Sequence, residues 1–204
     1  MSEITTSTNE GVVDSEKEKN ANGKTNSKGI PVADIAKIGL FVALISVSGY
    51  ITFTLPFTPV AITAQTLALN LAAILLKPKQ SFIAVLVYIL LGIIGVPVFS
   101  GGRSGIGVLI GPTGGYIVAF LIAVPLISLL KGEKIWRYFL TTILIGIPVI
   151  DLLGTIYYSI STKTGFYQSL VLCCFPFLIG DTFKAVVASL LGFSAQKALS
   201  KINA

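Results

Sequence analysis

The chain has 204 residues, of which 53% are hydrophobic and only 12% are charged, and its mean hydropathy is +0.86. A water-soluble domain carries about 25% charged residues, so the composition excludes an ordinary soluble protein and indicates a membrane protein. The net charge is +6 and the chain has no histidine, which excludes the commonest general base, the usual zinc sites and any catalytic triad that uses histidine.

Residues 1–30 form a polar segment with both charge signs. The segment contains five acidic residues, four lysines and almost no apolar side chains. Because it buries too little apolar surface to offset the entropy of ordering, it is typical of disorder. We predict a disordered cytoplasmic tail over residues 1–30 and one membrane domain over residues 31–204.

Six apolar runs separated by short breaks follow the tail. Each run is expected to be helical, because an isolated strand in hydrocarbon leaves its backbone polar groups unsatisfied. A bilayer core needs about 20 residues, so the second run is short and is expected to span only with help, or to be partly re-entrant. The sequence predicts an all-α, polytopic membrane protein with six transmembrane helices near residues 34–54, 61–76, 81–97, 113–130, 137–160 and 168–192.

Basic residues between the runs indicate the orientation in the membrane. The first, third and fifth connections hold only Arg103 and Lys163. The positive-inside rule therefore places both termini in the cytoplasm. The basic residues on that predicted cytoplasmic side are Lys28, Lys37, Lys77, Lys79, Lys131, Lys134, Arg137, Lys197 and Lys201.

Small residues form a stripe along the first predicted helix. They are Ala36, Gly39, Ala43 and Ser46, spaced alternately by three and four residues. Small side chains let helices approach closely. The stripe fits packing inside the domain and, equally, a docking face for another membrane subunit.

The connection after the third run, residues 96–116, is rich in glycine. Seven of the fifteen residues from Gly101 to Gly115 are glycine. Glycine lets the backbone approach a ligand closely, so we expect a folded-in loop that lines a cavity. Arg103 is the one charged residue of this connection, and on the predicted outer side it is placed to meet an anionic group. The alternative is a flexible external loop whose arginine contacts lipid headgroups.

Three ionisable residues lie inside the predicted spans: Asp151, Asp181 and Lys184. A charge at a helix centre costs about 2.5–3.5 kcal/mol, so such residues usually face a cavity or one another. Asp181 and Lys184 are at i and i+3, on one helix face. They predict a polar patch, with Asp181 accepting from N–H groups and Lys184 donating to a carbonyl or carboxylate, or else a structural ion pair. For Asp151 we favour pairing with a hydroxyl or backbone group of a neighbouring helix over a proton-coupling role.

Signs of an enzyme are scarce in this chain. Cys173 and Cys174 are adjacent in an apolar run, so we expect buried thiols rather than a disulfide framework or a metal site. We expect no catalytic residue, no metal, no cofactor and no nucleic-acid partner. A membrane enzyme that acts on a lipid is the alternative from another class, although such enzymes usually need several acidic residues.

Three motifs in the membrane domain carry a family resemblance. Residues 97–102 read PVFSGG and residues 111–116 read GPTGGY, both within the segment 57–120, and residues 176–185 read PFLIGDTFKA. Together they resemble the BioY family, the biotin-specific substrate-binding subunits of energy-coupling-factor (ECF) transporters. The resemblance implies a six-helix protein of the cell membrane that captures biotin from outside. It also implies a transmembrane coupling subunit and two ATP-binding cassette subunits as partners, which hydrolyse the ATP.

The resemblance also implies roles for individual residues. Asp181 and Lys184 are expected to bind the ureido end of biotin or its carboxylate, and Arg103 is a candidate for the carboxylate. Docking of the coupling subunit is expected at Gly39 and Ala43. A stand-alone secondary carrier for biotin or another small organic solute is the alternative function. Further polar residues expected to line the site are Gln65, Asn70, Thr113 and Tyr116.

Overall fold

A computed structural model describes residues 31–202 except 55, 57 and 59, and it leaves the side chains of residues 200 and 202 undescribed. The disordered tail predicted for residues 1–30 lies outside the described residues. The described part is mostly helical, which confirms the all-α class. In chain order the helices are α1 (Val32–Ser48), α2 (Gln65–Leu75), α3 (Pro78–Ile93), α4 (Ile106–Ile110), α5 (Gly114–Leu130), α6 (Ile135–Thr141), α7 (Ile147–Thr162), α8 (Phe166–Cys173) and α9 (Phe175–Ile202).

Helix length and composition match a membrane environment. A π-helical turn, Thr142–Gly146, joins α6 to α7, so that Ile135–Thr162 is one long helix. Within the described chain, this helix and Phe175–Leu199 are long and apolar enough to cross a membrane, and α2, α3 and α5 are shorter apolar helices. Large apolar side chains also cover the outside of the bundle; Ile160 is 73% exposed and Ile179 is 83% exposed. Soluble monomers rarely expose apolar surface so extensively.

The structure corrects the end of the first predicted helix. The helix was expected to continue to residue 54, but α1 ends at Ser48. The segment that follows, ITFT, is β-branched and aromatic and therefore favours an extended backbone. It contributes strand β1 (Thr52–Phe53), which pairs antiparallel with β2 (Ile62–Thr63). The two strands satisfy each other's backbone groups, which a lone strand could not do.

The structure also divides the sixth predicted helix, expected as one segment over 168–192. Helix α8 ends at Cys173, and Cys174 has backbone angles of φ −118° and ψ −60°. Pro176 has no N–H to donate to the preceding turn, and proline is well tolerated in the first turn of a new helix, which here is α9. Cys173 and Cys174 are free and buried, as expected from the sequence.

Helix α2 is confirmed as too short to span a bilayer by itself. Its 11 residues rise about 16 Å, against a hydrocarbon core of about 30 Å. Small and apolar residues bury most of its surface against α1, α5 and α9. These contacts place α2 in the interior of the bundle.

The C-terminal end of α2 is held by groups from the end of α5. Lys131 Nζ donates to the carbonyl oxygens of Ala73, Ile74 and Leu76, at 3.0, 2.5 and 2.6 Å. Ser128 Oγ donates to the Leu76 carbonyl as well, at 2.7 Å. The last carbonyls of a helix lack partners inside it and attract cations. Lys131, whose position alone suggested only a role in membrane orientation, therefore caps α2.

The glycine-rich connection is anchored to the bundle by Phe99. This side chain is fully buried and packs edge to face on Tyr88 of α3, with ring centroids 5.6 Å apart. Gly92 of α3 leaves the space for the Phe99 ring, because a Cβ at Gly92 would overlap it. The connection is thereby fixed against α3 at the point where it begins.

Candidate ligand-binding site

A cavity lies between α2, α5, α7 and α9 and is bordered by the glycine-rich connection. Apolar side chains such as Phe120, Ile150 and Phe177 form part of its wall. The polar residues that line it are Thr63, Gln65, Thr66, Ser100, Arg103, Thr113, Tyr116, Asp151, Asp181 and Lys184.

Asp181 and Lys184 form an ion pair, which was the alternative to a ligand-binding polar patch, and the pair is part of a larger cluster. Lys184 Nζ lies 2.6 Å from Asp181 Oδ1. Lys184 Nζ also donates to the Thr63 carbonyl and to Thr66 Oγ1, each at 2.9 Å. The Thr66 hydroxyl in turn donates to Asp181 Oδ1 at 2.9 Å. The cluster therefore joins α9 to α2 and to strand β2.

Lys184 and Asp181 differ in the hydrogen bonds that they can still make to a ligand. An ammonium group has three hydrogens, and those of Lys184 have three partners in Asp181, Thr63 and Thr66. Asp181 Oδ2, by contrast, accepts no hydrogen bond from the described residues. The cluster therefore presents a free acceptor to the cavity, and Lys184 holds that acceptor in place.

Asp151 lies in the wall of the same cavity and is only 3% exposed. Its Oδ2 atom has no hydrogen-bond partner among the described residues. The expectation that Asp151 pairs with a hydroxyl or backbone group is therefore wrong. The hydroxyl one turn further along α7, that of Thr155, lies 3.5 Å from the Tyr116 hydroxyl instead.

Gln65 and Tyr116 line the cavity with their donors already engaged. Gln65 Nε2 donates to the Tyr88 hydroxyl at 2.8 Å and to the Val98 carbonyl at 3.3 Å, which uses both amide hydrogens. The Tyr116 hydroxyl donates to the Cys173 carbonyl at the end of α8, at 2.9 Å. Both side chains fix neighbouring segments around the cavity, and Gln65 keeps its carbonyl oxygen as an acceptor.

The glycine-rich connection borders the cavity as predicted. Its glycines Gly101, Gly102 and Gly105 have φ angles of 70°, 73° and 89°, which other residues adopt only with strain. Arg103 is exposed at the rim, and its Nε donates to the Ser100 carbonyl at 3.0 Å. The two Nη groups of Arg103 have no partner in the described part of the chain. An arginine with free donors at a cavity rim can bind a carboxylate or phosphate.

Of the remaining residues proposed from the sequence, all but one lie outside the cavity wall. Thr113 lines the cavity at the start of α5. Asn70 is buried one turn beyond Thr66 on α2 but is not part of the cavity wall. Gly39 and Ala43 are exposed on the outside of α1, and a Cβ at Gly39 would meet no atom within 4 Å. Packing inside the domain is therefore excluded for Gly39.

Sequence reasoning missed Thr63 and Thr66 as parts of the site. Thr66 directly follows Gln65 on α2, so its proximity to a proposed residue was a usable signal. Thr63 contributes its backbone carbonyl, and a backbone contact of this kind has no signature in the sequence.

Comparisons with known proteins identify a family. The BioY family model matches residues 18–201 of the chain. The biotin transporter BioY2 of Lactococcus lactis is 37% identical over 170 residues, which cover 81% of this chain and 91% of that protein. A probable biotin transporter BioY of Pyrococcus horikoshii is 38% identical over 163 residues, covering 80% and 96%.

A solved structure is similar as well. It is the crystal structure of the S-component for biotin from an ECF-type ABC transporter, with a TM-score of 0.75 and 26% sequence identity. The match covers 81% of this chain and 92% of that one. Likeness in sequence and in fold therefore extends over most of the chain.

Proposed function

The chain belongs to the BioY family, and on that premise we propose that it takes up biotin as the membrane-embedded, biotin-binding subunit of an ECF transporter. The observation that carries this function is the cavity, which has buried carboxylates, apolar walls and an arginine at its rim. Biotin is amphipathic in the same way, with a polar ureido ring, an apolar chain and a terminal carboxylate. The chain is a transport protein and not an enzyme.

The cavity supports an assignment of ligand groups to residues. Asp181 Oδ2 accepts an N–H of the ureido ring, because this oxygen is the unused acceptor of the buried cluster. Lys184 positions Asp181 and does not donate to the ligand, since its three hydrogens are engaged. Arg103 binds the carboxylate of biotin from the rim, with its free Nη groups. Thr113 and the Gln65 carbonyl oxygen complete the polar lining.

The partners follow from the ECF assignment. The chain works with a transmembrane coupling subunit and two ATP-binding cassette subunits, and the energy of ATP hydrolysis comes from them. The coupling subunit docks on α1 at Gly39 and Ala43, whose exposure outside the bundle supports this surface.

The membrane topology of the chain completes the proposal. The domain over residues 31–204 crosses the membrane six times and has both termini in the cytoplasm, with residues 1–30 as a separate tail. The excess of basic residues on one side of the predicted spans supports this orientation.

Equilibrium binding to the detergent-purified protein tests the function. We expect tight binding of biotin, and weaker binding of an analogue without the carboxylate and of an analogue methylated on the ureido nitrogens. Arg103→Gln should weaken biotin roughly tenfold or more, the scale of a lost hydrogen bond to a charged group, and should leave the affinity for the des-carboxylated analogue unchanged. A folded protein that does not bind biotin would refute the proposed function.

Uptake in cells distinguishes the subunit from a stand-alone carrier. Cells that lack every coupling subunit should not accumulate biotin through this chain alone. Accumulation in such cells that is abolished by an uncoupler and by Asp151→Asn would favour a proton-driven carrier instead.

A further inference from the structure

Asp151 is a polar group that the fold buries without satisfying. Among the described residues, its Oδ2 is the single buried side-chain nitrogen or oxygen atom that has no hydrogen-bond partner. Burial of such a group is unfavourable unless a partner arrives, and most buried polar groups in native structures have one. The position of Asp151 in the cavity wall means that the partner can be a ligand.

The polar groups around Asp151 decide which kind of ligand group fits. Neighbouring donors of the cavity are engaged inside the protein: Lys184 with three acceptors, Gln65 Nε2 with two, and the Tyr116 hydroxyl with a carbonyl. Besides the Thr113 hydroxyl, the groups left over in the wall include two oxygens that can accept, namely Oδ2 of Asp151 and Oδ2 of Asp181. Two free oxygens in one wall suit a ligand that presents two N–H donors.

We propose that Asp151 is a second ligand-binding residue of this cavity and that it accepts one N–H of a cyclic urea while Asp181 accepts the other. A cyclic urea carries two N–H groups on opposite sides of its carbonyl, and the wall holds two carboxylates with free oxygens. This inference rests on the proposed function, because biotin supplies the urea. The pair of Asp181 with Lys184 has one free acceptor oxygen, which can bind one N–H of the urea. Asp151 supplies the acceptor for the second N–H.

The test compares biotin with its two regioisomers that carry a methyl group on one or the other ureido nitrogen. In the unmodified protein both methylated ligands should bind roughly tenfold or more weakly than biotin. In Asp151→Leu, biotin itself should bind roughly tenfold or more weakly. One regioisomer should then show no further loss, because its missing N–H is the one that Asp151 accepted. The other regioisomer should still be weaker than biotin.

A structural role and a binding role of Asp151 give different results. Asp151→Leu removes an unsatisfied buried group, so the ligand-free variant should melt at the same temperature as the unmodified protein or higher. Asp151→Asn retains an oxygen acceptor, so both regioisomers should still bind more weakly than biotin, as in the unmodified protein. Asp34→Leu is the matched control, because Asp34 lies on α1 outside the cavity, and it should leave all three affinities unchanged.

The outcomes separate this inference from the proposed function. If the unmodified protein does not bind biotin, the proposed function fails. If it binds biotin and Asp151→Leu leaves the affinities for all three ligands unchanged, the role of Asp151 alone is refuted. An equal loss for all three ligands together with a lower melting temperature also overturns it, because Asp151 would then act on the fold.

Discussion

Asp181 and Lys184 should be coupled strongly enough that losing either one is worse than losing both. Their side chains are only 9% and 14% exposed, and the charged atoms lie 2.6 Å apart. Removal of one partner from a buried pair costs about 3–5 kcal/mol, because it leaves an uncompensated charge. Replacing both partners by apolar residues of similar size is often close to neutral.

The magnitude follows from what each single variant leaves behind. In Asp181→Leu, the Lys184 ammonium keeps only two neutral acceptors, the Thr63 carbonyl and the Thr66 hydroxyl. In Lys184→Met, the Asp181 carboxylate keeps only the Thr66 hydroxyl as a donor. Because the pair retains slight exposure, we expect the lower end of the range, about 3 kcal/mol for each single variant. That corresponds to a melting temperature lower by about 6–12 °C.

The assay is thermal unfolding of the ligand-free protein in detergent for the unmodified chain, the two single variants and the double variant. The double variant should melt within about 2–4 °C of the unmodified chain, the shift that 1 kcal/mol produces. Because each single variant loses about 3 kcal/mol and the double variant at most about 1 kcal/mol, the coupling energy should be about 5 kcal/mol. A double variant that loses the sum of the two single losses would refute the reasoning.

A matched pair on α1 provides the control for this cycle. Asp34 and Lys37 have the same order and the same spacing of three residues, but Lys37 is exposed and Asp34 is only partly buried. Exposed pairs contribute at most about 1 kcal/mol. The cycle of Asp34→Leu with Lys37→Met should therefore show almost no coupling.

Two further substitutions test how the cavity is supported. Lys131→Met should destabilise the protein by about 2 kcal/mol or more, because three carbonyls at the end of α2 lose a charged donor, whereas Lys134→Met on the exposed surface should not change the melting temperature. Gly92→Ala should destabilise by about 1–3 kcal/mol and weaken biotin, since its Cβ would displace the ring of Phe99. Gly107→Ala is the control, because a Cβ at Gly107 meets no atom within 4 Å, and it should leave stability and biotin affinity intact. Equal melting temperatures and equal affinities for the two glycine variants would contradict this explanation.

Much of the fold could be predicted because apolar runs in a membrane chain have few structural options. The length of the second run indicated that it would not span by itself, and α2 proved to have 11 residues. The spacing of Asp181 and Lys184 placed them on one helix face, and the ion pair forms there. Glycines in the connection before α5 indicated a loop folded against a cavity, and that loop borders it.

Other features could not be predicted because they depend on contacts between distant segments. The saturation of Lys184 requires the backbone carbonyl of Thr63, which is 121 residues away in the sequence. Asp151 was assigned a partner because most buried carboxylates have one, and its lack of a partner emerges only from the packing of α7 against the cavity. The strand pair after α1 depends on the meeting of Thr52 with Thr63, which no local pattern specifies.

The anchoring of the glycine-rich connection determines when its first part loses conformational entropy. Gly101, Gly102 and Gly105 hold the backbone in bends that an L side chain would strain, and Phe99 fixes the start of the connection to α3. The start of the connection is therefore held against α3 when the protein folds, before any ligand arrives. A ligand that enters the cavity does not have to order this part of the loop, so more of its contact energy appears as affinity. Tight binding of a molecule as small as a vitamin is the expected consequence.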